Sequence, residues 1–208
     1  MQTTDTLIVG GGLLGLRLAD IMHRSGKAFH LVEARARLGG RIWSPSDGAA
    51  RFDMGPAWFW PDQPRMFELT QQLGLTVFEQ FSNGAVSFED QRGVVHRDMG
   101  TSSMQGSLRI DGDIGALVDA LSARLPASAI ETSAPVTTLR FADGLVRAKV
   151  DTKAGKRVIT ANRVVLALPP RVAAQMIAYD PPPVATGVAR HGRNPNVDGG
   201  PCQDCRHL

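Results

Sequence analysis

Residues Leu7-Ile8-Val9-Gly10-Gly11-Gly12-Leu13-Leu14-Gly15-Leu16 carry the decisive pattern of this chain. A short apolar run stops at three glycines, as a buried strand does when it enters a tight turn. Leu16, Leu18, Ala19, Ile21 and Met22 then recur at helical spacing until Ser25-Gly26-Lys27 ends the run. Ala28 to Val32 forms a second short apolar stretch, closed by Glu33. Strand, glycine turn, helix, strand and acid within about thirty residues make one parallel βαβ unit.

Gly10, Gly12 and Gly15 follow the pattern G-x-G-x-x-G. The first glycine permits the turn, the second lets a pyrophosphate approach the backbone, and the third lets helix and strand pack closely. The helix N-terminus then presents unpaired N–H groups and a partial positive charge to the phosphates. Glu33 lies 18 residues past Gly15, where an acid can accept the ribose hydroxyls. To this point NAD and FAD fit alike.

The residues that follow separate the two. Glu33-Ala34-Arg35 with Leu38-Gly39-Gly40-Arg41 resembles the segment that flavin-containing amine oxidases carry after the second strand. That family includes monoamine, polyamine and L-amino-acid oxidases. The resemblance continues at Asp53-Met54-Gly55-Pro56-Ala57-Trp58, Leu108-Arg109-Ile110-Asp111-Gly112, Gly115-Ala116-Leu117, Val136 and Val164 to Pro170, and so covers about Asp5 to Pro182. It implies FAD as the cofactor, with Arg41 close to it, Gly55, Pro56, Ala57 and Trp58 beside the isoalloxazine, and Val136 at the adenine. Together with Gly10, Gly12, Leu14, Gly15, Glu33, Ala34, Arg35 and Gly40, these are the expected cofactor-binding residues. Leu14 stands where many members carry Ser, and Asp113 where a Gly is frequent. Arg35 and Arg37 are either solvated loop charges or neighbours of the cofactor. Trp43 and Trp58 are candidates to wall the flavin or a substrate, while Phe59 and Trp60 are read as packing residues. No catalytic side chain is expected, since amine oxidation in this family needs no protein nucleophile.

The resemblance implies an α/β fold: a Rossmann-like FAD-binding domain with a parallel sheet and a β-hairpin or meander, plus a partial α+β substrate domain. Its expected division is residues 1–60 and 108–182 for the FAD-binding domain, 61–107 for the substrate-domain segment, and 183–208 for an irregular tail. Local patterns fill in this frame. A helix is expected from Gln63 to the stop at Gly74, and strands between Thr76 and His96 with a turn at Ser82-Asn83-Gly84. A helix is expected over 114–125 with Asp113 as its cap, and a hairpin with strands over 136–141 and 145–150 turning at Ala142-Asp143-Gly144. Arg157 to Thr160 and Arg163 to Leu168 read as two further strands.

Composition bounds the function. The 208 residues are 43% hydrophobic and 21% charged, which fits a globular chain and excludes wholesale disorder. A net charge of +3 is too small to argue for nucleic acid. The N-terminus lacks a basic segment, and no stretch approaches the roughly 18 apolar residues of a membrane span, so neither a leader nor a membrane anchor is expected and the cytoplasm is the default compartment. His23, His30 and His96 are isolated, with no metal constellation around them. The resemblance implies a small-molecule amine as the partner of a full-length relative.

The tail differs in character. From Pro183 to Leu208 apolar periodicity disappears, and Cys202, Cys205 and His207 do not make a supported metal site. Back-translated into GC-rich codons and shifted by one nucleotide, this stretch permits a reading that ends in PTWMAGHAK. That peptide resembles the segment carrying the family's flavin-proximal lysine. The tail is therefore expected to be a frameshift product, and the chain a truncated relative with little or no turnover and with uncovered apolar surface favouring self-association. Two readings stand beside amine oxidation by O2: a silent FAD-binding fragment, and a desaturase- or protoporphyrinogen-oxidase-like flavoprotein.

Overall fold

A computed structural model describes residues 2–99 and 104–182. Expectations for the tail, including the shifted frame and Cys202, Cys205 and His207, lie outside the described residues. In chain order the elements are β1 (Gln2–Val9), α1 (Leu13–Arg24), β2 (Phe29–Val32), β3 (Ser46–Asp47), β4 (Ala50–Arg51), α2 (Pro64–Leu73), β5 (Val77–Glu79), β6 (Val86–Glu89), β7 (Val95–Met99), β8 (Leu108–Ile110), α3 (Ala116–Ala123), β9 (Ile130–Glu131), β10 (Val136–Ala142), β11 (Leu145–Thr152), β12 (Gly155–Leu166), α4 (Pro170–Met176) and β13 (Ala178–Asp180). Among the described residues, contacts group 2–40 with 121–182 as one compact unit, and 41–99 with 104–120 as another.

The first unit is built on a seven-stranded sheet of order β13-β10-β11-β12-β1-β2-β9. β12, β1, β2 and β9 run parallel, whereas β10, β11 and β12 form an antiparallel meander. This is the expected α/β, Rossmann-like arrangement. One local expectation is corrected: Arg157–Thr160 and Arg163–Leu168 are not separate strands. Ala161 pairs with both β1 and β11, so β12 runs unbroken from Gly155 to Leu166. Gly155 to Ala161 pair with β11 and Ile159 to Leu166 with β1, the two pairings overlapping at residues 159–161. A single strand thereby ties the meander to the parallel sheet.

Central parallel strands are covered on both sides, which explains their lack of alternation. Leu7, Ile8, Leu31 and Val32 are all essentially inaccessible. Leu16 and Ala19 of α1 are also fully buried, and α1 packs on β2. Leu7, Val9 and Val32 join Val136, Leu139, Val146, Ala148, Val150 and Ile159 in one apolar cluster. In the meander alternation returns, because only one face carries that cluster. β10 and β11 meet at Asp143 and Gly144, both at positive φ (56° and 72°), as a two-residue hairpin turn requires.

The second unit contains three short antiparallel pairs, β3-β4, β5-β8 and β6-β7, with helix α2. Pro64 opens α2 and Gly74 ends it in the left-handed conformation, φ 70°. Phe59 is buried and meets Phe67 of α2 edge to face, with ring centroids 5.5 Å apart. The turn expected at Ser82-Asn83-Gly84 does not join a hairpin, because β5 pairs with β8 and leaves β6 to β7. The hairpin turn lies instead at Asp90, whose carboxylate accepts the N–H groups of Arg92 and Val94.

Candidate functional site

Four glycines surround the β1–α1 turn, and their surroundings differ. A Cβ on Gly10 would lie 2.6 Å from the Ala167 carbonyl oxygen, and one on Gly15 only 2.0 Å from the Gly10 oxygen. These two glycines serve close packing of strand and helix. A Cβ on Gly11 would strike Leu38 Cδ2 at 2.6 Å. Gly12 is different: the nearest atoms to its Cβ position are backbone atoms of Gly39 and Gly40 at 3.9 Å. Gly12 is also the N-cap of α1, and no side chain caps that helix. Open space at the second glycine and an uncapped helix N-terminus fit the pyrophosphate of a dinucleotide.

Glu33 fixes the turn from the end of β2. Its buried carboxylate accepts the Gly11 N–H at 2.7 Å through one oxygen and the Arg35 N–H at 2.9 Å through the other. A carboxylate oxygen has two acceptor positions, so each oxygen retains one. Gly39 N–H donates to the Gly11 carbonyl at 2.8 Å, which joins the following loop to the glycine turn. Arg35 and Arg37 both donate to the Gly40 carbonyl, at 3.2 and 3.0 Å. They brace this loop rather than wave in solvent. Burial, and then the neighbouring Arg35, lowers the Arg37 pKa from its ordinary value.

Other expected residues are placed as follows. Leu14 is 68% exposed in the first turn of α1. Ala34 is exposed beside Glu33. The Val136 side chain is buried in the sheet's apolar cluster, which leaves only its backbone for any ligand. In the second unit Arg41, Pro56 and Trp58 are exposed and Ala57 is half-buried. Gly55 permits a close crossing, since a Cβ there would lie 2.2 Å from the Arg41 carbonyl oxygen.

A polar cluster in the second unit escaped the sequence reading. The buried carboxylate of Asp53 accepts Ser44 Oγ at 2.8 Å, the Ile114 N–H at 3.1 Å and Arg109 Nη2 at 3.2 Å. Asp53 therefore caps the start of the α3 segment, a role expected of Asp113. The Asp113 carboxylate turns instead to Arg51 Nε at 2.7 Å, while Arg51 also pairs with Asp119. A charged guanidinium outcompetes a neutral N–H for a carboxylate. The hydrogen bond to Asp119 first, and then the negative charge of Asp113, raise the Arg51 pKa against the opposing effect of burial. Among the described residues no group of His, Cys, Asp or Glu could hold a metal ion, and no helix is long and apolar enough to cross a membrane.

A parallel sheet with an open glycine turn and an acid at the end of the second strand defines a dinucleotide-binding, Rossmann-like fold. Residues 15–102 and 80–201 match the model of the family described as flavin containing amine oxidoreductase, and the chain belongs to that family. It is 31% identical to putrescine oxidase of Kocuria rosea over 126 residues, which are 60% of this chain and 26% of that protein. It is 34% identical to human flavin-containing amine oxidase B over 76 residues, 36% of this chain and 15% of that one. Among solved structures, wild-type putrescine oxidase bound to putrescine aligns with a TM-score of 0.75 at 19% identity, over 86% of this chain and 61% of that one. Cyclohexylamine oxidase from Brevibacterium oxydans aligns at 0.79 and 16% identity, over 91% and 63%. The chain thus spans about a quarter of putrescine oxidase in sequence match and about three fifths in structure. Flavin, as FAD, is the cofactor that this membership assigns.

Proposed function

We propose that the chain binds FAD through the β1–α1 turn and works as an amine oxidase-type oxidoreductase on a small amine. The observation that carries this is the pairing of open backbone at Gly12 with the Glu33 carboxylate, each oxygen of which keeps an acceptor position. Gly12 and the α1 N-terminus hold the pyrophosphate. Glu33 holds the ribose hydroxyls, with Ala34, Arg35 and Gly40 lining the same end. Arg41, Gly55, Pro56, Ala57 and Trp58 face the flavin, and Val136 meets the adenine through its backbone.

Bound FAD supplies the two-electron acceptor that turns an amine into an imine, and O2 is the final acceptor. No residue need act as nucleophile; the protein's part is to bind, orient and exclude water. Residues 1–60 and 108–182 make the FAD-binding part of this reading, and 61–107 the substrate-facing part. A cytoplasmic location and self-association through uncovered apolar surface of the 110–170 region belong to it as well.

The test is an absorbance titration of the purified chain with FAD and NAD in parallel, followed by peroxide release with a panel of amines. Tighter binding of NAD overturns the cofactor assignment. FAD binding without peroxide keeps the cofactor and supports the second reading, a silent FAD-binding module.

A further inference from the structure

The meander carries a second charged feature, on the face opposite its apolar cluster. Arg140 of β10 and Arg147 of β11 are direct cross-strand partners, and Lys149 follows two residues along β11 opposite Thr138. Leu139, Val146, Ala148 and Val150 alternate with them and point into the core. Like charges placed directly opposite on neighbouring strands are unfavourable. Here three cations surround one cavity of about 200 Å³, lined by Thr138, Arg140, Arg147, Lys149, Val158 and Asp180.

Carboxylates nearby relieve this repulsion only in part. Asp180 pairs with Arg140 at 3.3 Å and Asp143 with Arg147 at 3.5 Å, all four side chains being well exposed. Exposed pairs of this kind are screened and weak. Lys149 has no ion-pair partner among the described residues. The cavity lining therefore keeps net positive charge, two guanidinium forks, one ammonium and one hydroxyl.

We propose that this cavity binds a small phosphate-bearing anion at a site separate from the dinucleotide turn. Guanidinium groups match phosphate oxygens two at a time, and the lysine adds a compact point charge. A tetrahedral phosphate offers enough oxygens for donors from three directions, which a single carboxylate does not. Val158 closes one side with an apolar surface.

The full chain, isotopically labelled, is titrated with inorganic phosphate and followed by amide shifts, with sodium chloride at matched ionic strength as reference. Saturable shifts are expected at Thr138, Arg147 and Lys149. Lys149→Gln and Arg147→Gln should each weaken binding about tenfold, the size of one lost charge-assisted hydrogen bond. Lys156→Gln, which removes a cation paired with Asp151 outside the cavity lining, should leave it unchanged. Gly12→Val should leave it unchanged too, separating this site from the cofactor turn. Equal shifts with chloride, equal affinity in the Lys149 and Arg147 variants, or loss in Gly12→Val overturns the proposal.

Discussion

The carboxylate of Glu33 accepts the backbone N–H of Gly11 at 2.7 Å across 22 residues of sequence. The acid expected to hold the ribose thus also fixes the turn expected to hold the pyrophosphate. On the proposed reading, cofactor affinity and turn geometry share one side chain.

Glu33→Gln should weaken FAD binding by about 1–3 kcal/mol, since a charged acceptor is lost while the side chain keeps its size. Glu33→Ala should weaken it further and lower stability, because the buried Gly11 N–H loses its partner. Parallel FAD titrations and urea unfolding check both. Equal stability of Glu33→Ala and the parent would show that the bond to Gly11 contributes nothing.

Gly12→Val and Gly15→Ala should fail in different ways. At Gly12 the nearest atoms to a Cβ are 3.9 Å away, so the valine variant should fold and lose FAD affinity. At Gly15 the Cβ would sit 2.0 Å from the Gly10 oxygen, and the helix must shift. A loss of about 1–3 kcal/mol is expected there, as for other overpacked sites. Circular dichroism melting beside a binding curve separates the two outcomes.

Stability should fall as pH drops below His30's ordinary pKa of 6.5. Burial first, and then the Arg157 guanidinium, lowers the His30 pKa. The unfolded chain binds a proton there before the folded chain does, so unfolding gains relative to folding as pH falls through 6.5. The loss continues down to the lower folded pKa and then levels off. His30 Nε2 lies 3.3 Å from the Glu131 carboxylate, which Arg157 also engages. His30→Gln should flatten this part of the profile, read from urea midpoints between pH 7.5 and 5.5. An unchanged slope would assign it to other groups.

Asp53→Ala should destabilise the second unit by about 1–3 kcal/mol, the cost of leaving buried donors unpaired. It removes the acceptor for Ser44, Ile114 and Arg109 together. Hydrogen exchange should rise first at the Ile114 amide. Protection retained at that amide would mean that another group caps the α3 segment.

How much was legible follows from how local each signal is. The glycine turn, α1 and the acid at Glu33 were readable because a βαβ unit places its punctuation within one short stretch, with each residue type answering a backbone need. The Gly74 stop and the hairpin turn were readable for the same reason, although Ala142, expected in that turn, belongs to β10 and pairs with Leu145. The continuity of β12 was not, because its two ends find different partners, β11 and β1, and periodicity does not name a partner. Nor was the role of Asp53, whose contacts with Arg109 and Ile114 span 56 and 61 residues. Asp113 looked like the helix cap from its neighbours alone, until Arg51, brought in from β4, claimed its carboxylate. Local propensity fixes which groups need partners; the packing of distant segments chooses which partners arrive, since a charged hydrogen bond once within reach outweighs a local preference.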